Sequence, residues 1–250
     1  MSSAIIGYTG FVGSNLVRQK EFNSFYNSKN IHSIIGKSFD LVVCSGAPAV
    51  KWLANKEPVK DRDNLQILIN CLSQISAKKL ILISTVDVYP LPIEVDEDTK
   101  IDQDNLHPYG KNRLELENFV KDNFDSLIVR LPGLFGKGLK KNIIYDFLHN
   151  NIVDKIHGDS IFQFYNLDYL WEDIQKSLAS KLTLVNFATE PLSVKEVASG
   201  AFSFEFTNRT DTAPVKYDFR TKYNHIFGFQ DGYIRSKEQV IQDLKEFVSH

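Results

Sequence analysis

Ala-Ile-Ile-Gly-Tyr-Thr-Gly-Phe-Val-Gly-Ser-Asn-Leu-Val, residues 4–17, decides the fold. The apolar run Ala4, Ile5, Ile6 predicts a buried strand, and apolar helical spacing begins again at Leu16 and Val17. Between them lie Gly7, Gly10 and Gly13, each with its own reason to lack a side chain. Gly7 lets the chain turn sharply, Gly10 lets backbone approach a pyrophosphate, and Gly13 lets the helix lie close to the strand. Thr9, Phe11 and Val12 share that turn, and the N–H groups that open the helix would face phosphate. Three glycines so spaced also occur in ordinary loops; their position directly after an apolar strand favours a dinucleotide site.

Working outward, short apolar runs alternate with helical patterns. Ser24–Ile31 reads as a short second strand and its exit, with a helix-like stretch at Ile31–Ile35. Leu41–Cys44 reads as a buried strand ending in Ser45, Gly46, Ala47 and Pro48. A helix follows at Asp63–Ile75, a strand at Leu80–Thr85, a helix at Tyr109–Phe124 and a strand at Ser126–Arg130. Pro90–Asp104 is acidic and reads as a surface loop. This alternation predicts an α/β protein, a Rossmann-like doubly wound parallel sheet with a small C-terminal substrate lobe. The expected boundaries are 1–132 for the nucleotide-binding region and 133–250 for the lobe, with about 161–190 returning to the sheet. Later elements are helices at Asn142–His149 and Leu170–Leu178, and a strand at Thr183–Phe187. Ser236 and Gln239 form a capping-box pattern before a last amphipathic helix carrying Val240, Ile241, Leu244, Phe247 and Val248.

With 250 residues, 43% hydrophobic and 24% charged, the chain can bury a large core. A net charge of −2 argues against a nucleic-acid partner. No apolar run has the length of a membrane span, and no signal peptide is read, so the expectation is a cytoplasmic protein. Cys44 and Cys71 sit in apolar runs and read as buried thiols. The histidines show no metal-ligand spacing, so no metal site is expected.

The glycine turn, Asp63-Asn64, the strand end Ser84-Thr85-Val86-Asp87-Val88-Tyr89, the pair Tyr109-Gly110 and the run Arg130-Leu131-Pro132-Gly133-Leu134-Phe135-Gly136 occur in this order. In these fragments the chain resembles the extended short-chain dehydrogenase/reductase family, whose members include nucleotide-sugar epimerases, dehydratases and reductases. The resemblance covers nearly the whole chain. It implies hydride chemistry at a sugar-like alcohol or ketone, with Tyr109 exchanging a proton with the substrate oxygen and Thr85 hydrogen-bonding that oxygen. It also implies that Ser45, Gly46, Ala47, Asn64 and Pro132 line the cofactor site. The family commonly dimerises through the tyrosine helix, so a homodimer is allowed.

The largest departure is at Arg113. A phenol is a weak base at neutral pH and needs a fixed cation, for which the family uses a lysine four residues beyond the tyrosine. Arg113 keeps the charge but not the shape of that lysine. Three readings follow: catalysis with Arg113 as the cation, a protein that binds dinucleotide without turnover, or Tyr109 as a structural tyrosine at the helix start. The family's dehydratases place two acidic residues after the threonine. Here the pair is Val86 and Asp87, which argues against 4,6-dehydration. Asp87 is a second acid/base group near the substrate or a solvated strand-end carboxylate.

No Asp or Glu occurs between Phe22 and Gly36, where an NAD-preferring site holds the ribose. Asn27, Ser28 and Lys29 suit a 2′-phosphate instead, favouring NADP(H), with NAD(H) the alternative. The expected partner is a sugar or nucleotide-sugar, with Gly133, Lys141 and Gln163 beside it. Lys137, Lys140 and Lys141 suit a diphosphate or a plain solvated surface, and Gln163, Tyr165 and Trp171 suit a sugar pocket or the core.

Overall fold

The computed structural model describes residues 2–249 and divides into two compact units. The first comprises the chain up to Pro90 with Thr99–Arg130 and Trp171–Val185; the second comprises Leu91–Asp98, Leu131–Leu170 and the chain from Asn186 on. Of the stretch expected to return to the sheet, 171–185 belongs to the first unit and 161–170 to the second.

In chain order the first unit holds β1 (Ser3–Ile6), α1 (Phe11–Gln19), β2 (Ser24–Tyr26), β3 (Ser38–Cys44), α2 (Lys51–Lys56), α3 (Pro58–Leu72), β4 (Ser76–Thr85), α4 (Pro108–Asn123) and β5 (Ser126–Leu131). The second unit contributes β6 (Gly133–Phe135), α5 (Ile143–His149), β7 (Ile161–Phe162) and β8 (Phe164–Asn166). Then come α6 (Leu170–Ala179) and β9 (Leu184–Asn186), which lie mainly in the first unit. The chain ends with β10 (Leu192–Ser193), α7 (Val194–Ala201) and α8 (Lys237–Val248).

Six strands form one sheet in the order β2-β1-β3-β4-β5-β9. β1 pairs in parallel with β2 and β3, and β3 in parallel with β4. Ala4, Ile5, Val42, Val43, Leu80 and Ile81 are fully buried, as strands covered on both faces must be. Since β2 and β3 lie on opposite sides of β1, the winding reverses between β1 and β3. In open α/β sheets that switch point, at the strands' carboxyl ends, is where a crevice opens. Gly7 and Ser45 stand at those two ends.

Sequence reading misses α2 and starts α3 too late, because Pro58 occupies the first turn of α3, where its missing N–H costs nothing. The expected strand at Leu80–Thr85 begins earlier, at Ser76, and the one at Leu41–Cys44 at Ser38.

The second unit packs two small sheets, β6/β8 parallel and β10/β7 antiparallel, with α5, α7 and α8. Phe135, Ile144, Phe164, Leu192, Val197, Val240 and Leu244 form its core. The Ser236 hydroxyl accepts the Gln239 N–H at the start of α8, whereas the reciprocal box is at Ser193 and Glu196 on α7. Sequence reading misses α7 because it is short. Cys44 and Cys71 are buried free thiols, and burial pushes the Cys44 thiol up to about 11. Among the described residues, no helix is long and apolar enough to cross a membrane.

Candidate active site

The turn after β1 has the geometry that its three glycines demand. Gly7 has φ +88°, and a Cβ there would lie 2.5 Å from the Ser45 carbonyl oxygen. A Cβ on Gly13 would lie 2.1 Å from the Gly7 carbonyl oxygen, so α1 can meet the turn this closely only with glycine. Gly10 differs: a Cβ would find only the Gly7 oxygen, at 3.3 Å. No protein packing therefore requires glycine at Gly10, which is exposed beside Thr9 and caps α1 without a side-chain hydrogen bond. An uncapped helix start with an open approach is a cradle that fits a phosphate group. The Ser45 hydroxyl donates to the Ile6 carbonyl, fixing the end of β3 against β1. At the end of β2, Asn27 takes part in a local turn, its side chain accepting the Lys29 N–H, and Ser28 and Lys29 are exposed.

Thr85 ends β4, and the parallel pairing of β1, β3 and β4 puts it on the same sheet edge as Gly7 and Ser45. Tyr109 lies in the first turn of α4, buried, and the Thr85 hydroxyl is among the groups that favour its ionised phenol. The Tyr109 N–H donates to Asn55 Oδ1 of α2 at 2.9 Å. Pro108 at the head of α4 and His107 as its cap fix where the helix begins: His107 Nδ1 accepts the Gly110 N–H at 3.1 Å. A Cβ on Gly110 would lie 2.2 Å from the Asp87 carbonyl oxygen, so α4 is pressed onto the segment just after Thr85.

Burial holds the Tyr109 phenol above its ordinary range; the Arg113 charge pulls it down, Asp87 pushes it up, and Thr85 and Lys51 pull it down. Arg113 sits one turn along, its guanidinium carbon 4.0 Å from the Tyr109 ring centroid. It is not directed at the hydroxyl. Its NH1 and NH2 groups grip the Asp61 carboxylate, with NH2 2.9 Å from Oδ1. NH2 also donates to the Pro48 carbonyl, and NH1 lies 3.5 Å from the Tyr109 carbonyl. Arg113 is 3% and Asp61 6% exposed, so this is a buried pair, and Arg113 Nε has no partner.

Asp61 is absent from the residues singled out by sequence. The signal was there: Asp61, Leu65, Leu68, Ile69 and Leu72 share the buried face of α3, so an acid stands at a core position. Asn64 instead lies exposed on α3. Lys51 was missed as well; its Nζ is 2.7 Å from Asp87 Oδ1.

Pro132, Gly133, Lys141 and Gln163 belong to the second unit. Gly133 is needed locally, since a Cβ would lie 2.9 Å from the Gln163 carbonyl oxygen. The Gln163 side chain is buried. Its Nε2 donates to the Thr189 and Phe219 carbonyls and its Oε1 accepts the Phe219 N–H. With both donors committed to backbone, it acts as a strut, a physical reason against the substrate role expected of it. Tyr165 is core, packed against Phe187, and Trp171 belongs to the first unit, under the Lys20 ammonium. Lys141 is exposed. Among the described residues no group of three or more His, Cys, Asp or Glu could hold a metal ion.

Fold and site thus define an α/β protein with a glycine-rich switch point, a threonine on the same sheet edge and a buried tyrosine at the head of α4. Solved structures carry the comparison further. The chain is similar to a dTDP-4-dehydrorhamnose reductase from Clostridium acetobutylicum, 19% identical over 100% of this chain and 99% of that one, TM-score 0.73. It is similar to a UDP-N-acetylglucosamine 4-epimerase from Methanobrevibacter ruminantium in complex with UDP-N-acetylmuramic acid. That match is 16% identical over 99% of this chain and 97% of that one, TM-score 0.74. A dTDP-4-dehydrorhamnose reductase from Bacillus anthracis in complex with NADP is 19% identical over 99% and 98%, TM-score 0.71. No protein-family model and no curated protein sequence matches the chain. The likeness bears out, as fold, the resemblance to the extended short-chain dehydrogenases/reductases.

Proposed function

We propose that the chain is an NADP(H)-dependent oxidoreductase or epimerase of the extended short-chain type, acting on a sugar or nucleotide-sugar in surface polysaccharide synthesis. Reduction of a keto group is the preferred reaction. One observation carries the reading: Thr85 ends its strand on the sheet edge where β1 and β3 open around the glycine turn, and the first turn of α4, which carries Tyr109, is pressed onto the segment just after it. The reductase and epimerase of the same fold support the chemical class.

Bound dinucleotide would supply hydride to the carbonyl carbon. Gly7, Thr9, Gly10, Phe11, Val12 and Gly13 would cradle its pyrophosphate, with Ser45, Gly46 and Ala47 beside them. Asn27, Ser28 and Lys29 would take a 2′-phosphate. Thr85 would hydrogen-bond the substrate oxygen, and Tyr109 would give that oxygen its proton. Burial holds the Tyr109 phenol above its usual range, so it rests protonated, as a reduction requires. Epimerisation by oxidation must begin by taking a proton from an alcohol, which this resting state opposes.

The rival reading, a dinucleotide-binding sensor or scaffold without turnover, draws support from the grip of Asp61 on Arg113. NADPH oxidation followed by absorbance with keto-sugar nucleotides separates the two. Turnover that falls at least about 100-fold in Tyr109→Phe, with NADPH affinity retained, is the expected result. Tight NADPH binding with no turnover on any keto-sugar would establish the rival.

A further inference from the structure

Removing the proton from a buried phenol needs positive charge nearby, and the nearest cation here is spoken for. Arg113 lies over the Tyr109 ring and its charge pulls the phenol down, but Asp61 holds the guanidinium through a two-point contact, and its remaining bonds go to backbone carbonyls. The fork is buried, rigid and aimed away from the hydroxyl. A second cation approaches from another element. Lys51 opens α2, the helix whose Asn55 side chain holds the Tyr109 N–H, so α2 is anchored to the first turn of α4. Its ammonium rests on Asp87 Oδ1 at 2.7 Å, and the Asp87 N–H lies 3.2 Å from Thr85 Oγ1. Asp87 in turn presses its carbonyl on Gly110, the residue after Tyr109.

We propose that Lys51, seated by Asp87, is the positioning cation of Tyr109, stabilising the phenolate left when the tyrosine gives up its proton. Arg113, on this view, is a fixed clamp on α3 whose charge stays where Asp61 holds it, while Lys51 is the cation that can turn toward the phenolate. This rests on the assignment of Tyr109 as the proton donor. The two ion pairs differ in the way the task requires. Arg113–Asp61 is 3% and 6% exposed, whereas Lys51–Asp87 is 39% and 16% exposed, with Nζ 2.7 Å from Oδ1. An ammonium on a flexible stem can turn from one anion to another; a buried bidentate fork cannot. The titratable and charged groups around the phenol are Arg113 on its own helix, Asp61 behind it on α3, Lys51 on α2, Asp87 after β4 and the His107 ring at 6.2 Å. The charges of Lys51 and Asp87 act on both Tyr109 and His107, in opposite directions, as one pair between two titrating rings would.

The test reads the phenol directly. Incorporation of 3-fluorotyrosine, whose phenol is more acidic than that of tyrosine, brings Tyr109 into an accessible range, and Tyr109→Phe assigns its 19F resonance. Lys51→Met should raise the Tyr109 midpoint by about one pH unit. Lys51→Arg should restore it, and Asp87→Asn should lower it. Coincident midpoints for wild type, Lys51→Met and Lys51→Arg would overturn the proposal. No substrate enters this measurement. A shifted phenol in a protein that turns over no keto-sugar would leave the Lys51 assignment standing and remove the enzyme. An unmoved phenol beside turnover that depends on Tyr109 would do the reverse.

Discussion

Helix α4 carries two buried charged residues on one face, and they belong to arginine–carboxylate pairs of opposite character. Near its far end, Glu117 receives Arg130 of β5 through Nε at 3.1 Å and NH2 at 2.6 Å, and the Ser84 hydroxyl at 2.5 Å. Arg130 NH1 reaches the Tyr89 hydroxyl at 2.7 Å, so every guanidinium nitrogen is used. That pair ties α4, β4 and β5 together. Near the start, Arg113 holds Asp61 and two carbonyls but leaves Nε without a partner, and its flat face lies against Tyr109. A satisfied network fixes architecture. One with a donor left over, against an ionisable ring, keeps part of its electrostatics for the site.

The strongest way to break this contrast is Glu117→Gln. The change keeps the shape but strips the countercharge from Arg130, which is 5% exposed. Leaving a buried charge unpaired costs about 3–5 kcal/mol, to be read by urea unfolding. The Tyr109 midpoint should stay where it is. A loss under about 1 kcal/mol would mean that the Glu117–Arg130 pair is not what holds these strands and the helix together.

Asp61→Asn probes the other pair. Asparagine can still accept from the guanidinium, and the Pro48 carbonyl remains, so the expected loss is smaller, about 2 kcal/mol. Its distinctive effect is electrostatic. With Asp61 neutral, no carboxylate offsets the charge of Arg113, and the Tyr109 phenol should titrate lower than in wild type. If Glu117→Gln moved the phenol as far as Asp61→Asn, the two ends of α4 would not differ in the way described.

Both pairs also mark how far the chain can be read unaided. The glycine turn was legible because its constraint is local: the φ of Gly7 and the approach of Gly13 to Gly7 are settled within seven residues. The strands were legible because apolar runs such as Leu80–Ile83 are buried on both faces. That Arg113 shares a helix face with Tyr109 follows from its spacing alone. What Arg113 faces does not, since Asp61 and Pro48 reach it from far along the chain. A permanent charge on a buried face implies a counterion, and the acids at core positions of α3 and α4 are where to look. Lys51 gave no such signal, because α2 is a single short helix with weak periodicity. Gln163 misled for the opposite reason: a polar residue between apolar neighbours reads equally as a ligand or a strut, and only its bonds decide.

The smallest effect concerns the cap beside Tyr109. Burial, helped by the charge of Lys51, lowers the His107 pKa below its ordinary value, against a smaller push from Asp87. The fold therefore accepts the neutral ring, and this contribution is complete above the free-imidazole value of about 6.5. It is lost as pH falls through the lower folded value. The cause is visible in the cap: Nδ1 accepts the Gly110 N–H, so in the neutral ring the proton sits on Nε2. Acid places a second proton on Nδ1 and removes the acceptor from the first turn of α4. His107→Asn keeps a cap acceptor that cannot titrate, so the stability difference between wild type and variant should change between pH 7 and pH 5. The change should be no larger than one helix cap, about 1 kcal/mol. Unfolding midpoints that move in parallel for the two proteins across that range would show that the His107 ring does not carry the cap, and that the two ends of α4 differ less than their ion pairs suggest.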